Sequence, residues 1–85
     1  MKKNEIFERL REIITGNTGV SKERITKDVN LQSDLGLTSL QIIVLLASIE
    51  DDFEIIIDTN DLTSVVDMGS FVDLIALYLE KPNRS

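Results

Sequence analysis

Asp34-Leu35-Gly36-Leu37-Thr38-Ser39-Leu40-Gln41 is a loop that turns into an apolar helix, and it decides how the rest of the chain is read. Thr38-Ser39-Leu40-Gln41 has the form of a capping box. In that motif a Ser or Thr side chain accepts from the backbone three residues on, and a Glu or Gln at that place reaches back. With Thr38 as N-cap, Leu37 stands just outside the helix and Ile42 one turn inside, where a hydrophobic staple needs them. Ser39 then takes the first helical position, with its hydroxyl outward and uncommitted. The first N–H groups of a helix lack intrahelical partners, and the helix dipole is positive at that end. A phosphate ester on Ser39 would gain about 0.3–1 kcal/mol from this placement. Ser and Thr are also the ordinary residues of a helix cap, so the stretch read alone is satisfied by a structural role.

The composition narrows the functions around this stretch. Eighty-five residues make one small domain, 1–85, and 42% hydrophobic residues supply a modest core. There is no cysteine, which excludes disulfides and thiolate metal sites. There is no histidine, which removes the usual general base and every Ser-His arrangement. We therefore expect no self-sufficient hydrolytic enzyme. The charged start Met1-Lys2-Lys3-Asn4-Glu5 leads into no signal-peptide core, and no apolar run is long enough to span a membrane. The expectation is a cytoplasmic monomer. The net charge is −6, divided as +2 over residues 1–30 and −8 over residues 31–85. An acidic surface argues against nucleic acid or an anionic membrane as partner and favours basic protein surfaces; it also serves plain solubility.

The periodicity of the chain is helical throughout. Ile6, Phe7, Leu10, Ile13 and Ile14 form one stripe and predict a helix from Lys3 to Thr15, ended by Gly16. Residues 16–38 make a long connection with scattered apolar anchors (Val20, Ile25, Val29, Leu31, Leu35, Leu37), read as a structured loop with one turn at Ser21 to Arg24. The second helix is predicted over Ser39–Phe53, with Leu40, Ile43, Leu46, Ala47 and Ile49 inward. Ile42, Val44 and Leu45 make it apolar almost all round, so part of it should be exposed as an interface. Ile55-Ile56-Ile57 reads as an extended buried segment, and Asp58 opens a short helix through about Val66. A calcium loop starting at Asp58 fails, because Thr63 stands where glycine is required and Gly69 where the bidentate Glu is. No metal site is expected. Ser70-Phe71-Val72-Asp73 resembles another capping start, for a last helix to Glu80 followed by Lys81 and Pro82. The fold class is all-α: a small four-helix bundle of three longer helices and a short third one, with a long structured loop between the first two.

Asp34-Leu35-Gly36-Leu37-Thr38-Ser39-Leu40 resembles the attachment motif of acyl carrier proteins, commonly Asp-Leu-Gly-x-Asp-Ser-Leu. Ile49-Glu50-Asp51-Asp52-Phe53-Glu54-Ile55 is similar to that family's Leu-Glu-Glu-Glu-Phe segment, and the resemblance covers nearly the whole chain. It implies that Ser39 receives 4′-phosphopantetheine from coenzyme A through a phosphopantetheinyl transferase, as a modified and not a catalytic residue of a carrier that is itself no enzyme. The thiol of that arm would hold acyl intermediates as thioesters, the sulfur coming from the cofactor in a chain without cysteine. Acyl-loading and acyl-processing enzymes would be the other partners, meeting Asp34, Thr38, Leu40, Gln41, Val44, Glu50, Asp51 and Asp52. A tethered chain could fold back among Ile43, Leu46, Ile49, Ile57, Leu62 and Phe71. The motif departs from the family at Thr38, usually Asp, and at Gln41 and Val44, often acidic in fatty-acid carriers. These departures favour apolar recognition and a specialised polyketide, peptide-hybrid or lipid pathway over the housekeeping fatty-acid one. The reading from another class is an acidic helical adaptor that binds a basic protein without any prosthetic group.

Overall fold

A computed structural model describes residues 1–80. Helix α1 spans Lys3–Thr18, α2 spans Ser39–Phe53 and α3 spans Met68–Glu80, with two 3-10 helices between them, η1 over Lys22–Arg24 and η2 over Thr59–Ser64. This is the expected all-α arrangement of three longer helices and a short one. Among the described residues the only extended pairing is a single antiparallel bridge, Asn30 with Asp67. The expected stop at Lys81 and Pro82 lies outside the described residues.

Helix α1 does not stop at Gly16 but runs two residues past it, to Thr18. A glycine inside a helix costs about 1 kcal/mol, too little to end one when a better stop follows. That stop is Gly19, whose φ of 79° no residue with a Cβ adopts easily, and whose N–H reaches Thr15 O at 2.9 Å. The Asn17 carboxamide and the Thr18 hydroxyl donate to the carbonyls of Ile13 and Ile14 at 2.8 and 2.6 Å, supporting the last turn. Ile6, Phe7, Leu10 and Ile14 are buried, while Ile13 is only half-buried at the stripe's edge.

The long loop is structured as its apolar anchors demand: Ile25, Val29, Leu31, Leu35 and Leu37 are all buried. The loop also caps α3. Met68 and Gly69 donate to the carbonyls of Val29 and Lys27 at 3.1 and 2.9 Å. Ser70 donates to Asp67 Oδ1 at 2.9 Å, while Asp67 N–H donates to Ser70 Oγ at 3.1 Å. The first N–H groups of the helix are thus satisfied in sequence. The reciprocal cap is Asp67 with Ser70, not Ser70 with Asp73 as the spacing suggests, and the helix starts three residues earlier. The bonds from Ser70's amide and hydroxyl hold the Asp67 carboxyl below its usual pKa.

Helix α2 is rotated from the expected inward face. Leu45, Leu46, Ile49 and Phe53 are buried, whereas Leu40 and Ile43 are 70% and 63% exposed and Ala47 also faces out. The staple sets this rotation. Buried Leu37 and half-buried Ile42 meet the core, and positions three to four residues from Ile42 follow it in. The segment after α2 alternates, as extended chain does: Ile57 is buried and Ile56 is 86% exposed, so only part of it is core. Glu50 fixes it, its carbonyl accepting from Ile55 at 3.1 Å and its carboxylate from Ile57 at 2.8 Å. The rotation is testable by denaturant unfolding. Leu45→Ala should cost about 2–5 kcal/mol and Leu40→Ala no more than about 0.5 kcal/mol; equal losses would contradict this packing.

Candidate functional site

The site forms where the long loop delivers the chain to α2. Asp34 Oδ2 accepts from Asn30 N–H at 2.8 Å, and Asn30 Oδ1 accepts from Gln32 and Ser33 at 2.9 and 2.8 Å. Arg24 donates to the Asp34 carbonyl at 3.0 Å. These bonds close a tight turn that Gly36, at φ 72°, leaves in the left-handed region. Buried Leu35 and Leu37 on either side of Gly36 anchor the approach.

Thr38 and Gln41 then cap α2 reciprocally. Gln41 N–H donates to Thr38 Oγ1 at 3.1 Å, and Thr38 N–H donates to Gln41 Oε1 at 2.9 Å. Ser39 is the first residue of the helix and is exposed. The cap is made by its neighbours, so the Ser39 hydroxyl carries no structural duty. The N–H groups of Ser39 and Leu40 have no intrahelical acceptor at these positions. An anion on the Ser39 oxygen would meet uncompensated N–H dipoles rather than a carboxylate.

Ser39 also stands at the edge of a cleft of about 460 Å³ between α2, η2, the long loop and α3. Of the residues suggested for a cargo space, Ile43, Leu46, Leu62 and Phe71 line it. Ile49 and Ile57 do not. Both are buried in the core, and Ile49 lies roughly 10 Å along the helix axis from Ile42, past the cleft. Ile42, Val65 and Val66, which the sequence pattern does not single out for it, line it as well. Ile42 is also the inner residue of the staple, and its dual role follows from being one turn from Ser39. Val65 and Val66 fall just after η2, where only the trajectory of the chain could show which way they face.

The residues expected to meet partners divide into two sets. Leu40 and Val44 are 70% and 52% exposed and, with Ile43, give α2 an uncharged apolar outer face near Ser39. The acidic residues are largely committed within the fold. Asp52 accepts from Arg9 Nε at 2.6 Å and Nη2 at 3.1 Å, tying α2 to α1 and raising the Arg9 pKa. Glu50 holds Ile57 and Asp34 holds Asn30. Asp51 is exposed. Among the described residues no group of carboxylates is disposed to hold a metal ion, and no helix is long and apolar enough to cross a membrane.

Known proteins resemble this chain over most of its length. The family described as phosphopantetheine attachment site matches residues 8–75. An acyl carrier protein from Guillardia theta is 37% identical over 76 residues, 89% of this chain and 94% of that protein. One from Thermotoga maritima is 32% identical over 79 residues, covering 93% of each. The solved structure of an acyl carrier protein from Enterococcus faecalis shares the fold, with a TM-score of 0.73 at 23% identity over 92% of this chain and 99% of that one. The free, exposed oxygen of Ser39 at a helix start beside a cleft fits the group that such proteins carry.

If Thr38 carries the cap, Thr38→Ala should lower unfolding free energy by about 0.5–2 kcal/mol, and Thr38→Asp should retain most of it. Equal stability of all three proteins in urea titrations would show that the cap is made elsewhere.

Proposed function

The chain belongs to the acyl carrier protein family, and from that premise we propose that Ser39 is its attachment residue and that it serves a specialised biosynthetic pathway rather than the housekeeping fatty-acid one. It is a carrier and not a catalyst, and its prosthetic group is covalent 4′-phosphopantetheine. That group supplies the thiol on which acyl cargo travels as a thioester, in a chain that has no cysteine of its own. This membership sets aside the adaptor without a prosthetic group.

What this chain's own residues contribute is presentation. Thr38 and Gln41 hold the helix start, and the exposed Ser39 oxygen is left to a phosphopantetheinyl transferase. In that transfer the Ser39 oxygen bonds to the phosphorus next to pantetheine, the bond from that phosphorus to the oxygen of the adenosine 3′,5′-bisphosphate part of coenzyme A breaks, and the serine proton passes by way of the transferase to the departing bisphosphate or to solvent. The unpaired N–H groups at the helix start favour the phosphodiester charge that results. Ile43, Leu46, Leu62 and Phe71 form the wall of an apolar cleft beside the arm for cargo.

The observation that carries the pathway reading is the outer face of α2. Leu40, Ile43 and Val44 are exposed and uncharged, Thr38 stands where an acid is usual, and Asp34, Glu50 and Asp52 have partners inside the fold. The processing enzymes should therefore present an apolar surface with few basic residues. The carrier works as a monomer in the cytoplasm, where coenzyme A and its transferase meet it.

Incubation with coenzyme A and a broad-specificity transferase should add the mass of one phosphopantetheinyl group to the intact chain and nothing to Ser39→Ala, which should still fold. Unmodified wild type, or a modified Ser39→Ala, would overturn the assignment. Val44→Glu should weaken docking to the processing enzymes at least several-fold in a binding titration, since a charge would be desolvated against an apolar surface. Tighter docking would show that the partners read charge instead.

A further inference from the structure

Helix η2 forms one wall of the cleft, yet little apolar packing holds it. None of its residues is buried, and only Leu62 is packed partly against the core. What fixes its position is polar and comes from α3 at both ends. At the far end, Ser70 Oγ accepts from Val66 N–H at 2.9 Å and from Asp67 N–H at 3.1 Å. At the near end, the Tyr78 hydroxyl accepts from Asp58 N–H at 2.9 Å and donates to the Asp61 carboxylate. Asp58 is the N-cap of η2, and its carboxylate accepts from Asn60 N–H at 2.9 Å. One phenol therefore grips both the cap and the first turn. Ser70 and Tyr78 stand eight residues apart on one helix, so α3 is the frame and η2 a strap across it.

We propose that Tyr78 is a positioning residue: its hydroxyl latches η2 against α3 and so keeps Leu62 closed over the cleft that shelters the cargo. The sheltering half of this statement rests on the carrier reading; the latch does not. With the phenol removed, Asp58 N–H loses its acceptor and the first turn of η2 loses its tie to α3; Ser70, the Glu50 bond to Ile57 and half-buried Leu62 remain, and Leu62 swings from the α2 side of the cleft. A bond to a carboxylate is stronger than one between neutral groups, and a half-buried leucine gives little to replace it.

The test is Tyr78→Phe in the full chain, which keeps the ring and deletes the hydroxyl. Hydrogen exchange of the Asp61 and Val65 amides, which close η2 onto Asp58 and Leu62, should become roughly tenfold faster, while amides within α1 and α2 stay as they are. Unchanged exchange at Asp61 and Val65 would overturn the latch. Should the variant fail to fold, Asp61→Ala removes the carboxylate alone and should speed the same amides. For cargo, the loaded protein is treated with hydroxylamine: a medium-length saturated acyl thioester should be cleaved severalfold faster in Tyr78→Phe, and an acetyl thioester, too short to enter the cleft, at the wild-type rate. If wild type protects the longer chain no better than acetyl, the cleft does not shelter cargo and that half of the proposal fails, with the exchange data still judging the latch.

Discussion

Two hydrogen bonds between Thr38 and Gln41, 3.1 and 2.9 Å long, decide what Ser39 is free to do. A helix must satisfy or expose its first N–H groups, and the residue that satisfies them gives up its side chain to the task. Here the duty falls on Thr38 before Ser39 and Gln41 after it. The serine between them keeps its hydroxyl, its exposure and its place at the positive end of the dipole. The rest of the architecture holds that box in place. The turn closed by Asn30 and Asp34 aims the chain, Leu35 and Leu37 bury its approach, and Ile42 sets the rotation of α2.

That rotation has a second effect. By turning Leu45 and Leu46 inward it places Leu40, Ile43 and Val44 outside, on the same side as Ser39. The acidic residues that give the chain its charge are mostly used at home: Asp52 clamps Arg9 across two helices, and Glu50 fixes the segment after α2. A net charge of −6 is therefore a poor guide to which surface a partner reads. An exposed ion pair of this kind contributes little to stability, but it does remove a carboxylate from the set available to a partner.

Most of the fold was legible in the sequence because its signals are local. The Thr38 to Gln41 box and its staple named the start of α2 to the residue, and the missing histidine and cysteine pointed away from catalysis. The errors arose where two local signals compete. Gly16 and Gly19 both offer a stop, and the side-chain bonds of Asn17 and Thr18 favour the later one. Ser70 can begin a box or end one, and the loop carbonyls of Lys27 and Val29 settle it in favour of Asp67. A helix apolar on nearly every face does not declare which side is buried, so Leu40, Ile43 and Ala47 were placed inward. The long-range bonds of Tyr78 to Asp58 and Asp61 leave no periodic trace at all.

The central claim is a division of labour between two adjacent hydroxyls, one capping and one carrying. It is tested most directly by fragmentation mass spectrometry of the wild-type protein after transfer of the phosphopantetheinyl group, with the modified oxygen located between Thr38 and Ser39. The account predicts the entire added mass on Ser39 and none on Thr38. Modification of Thr38, or of a hydroxyl away from the start of α2, would contradict it.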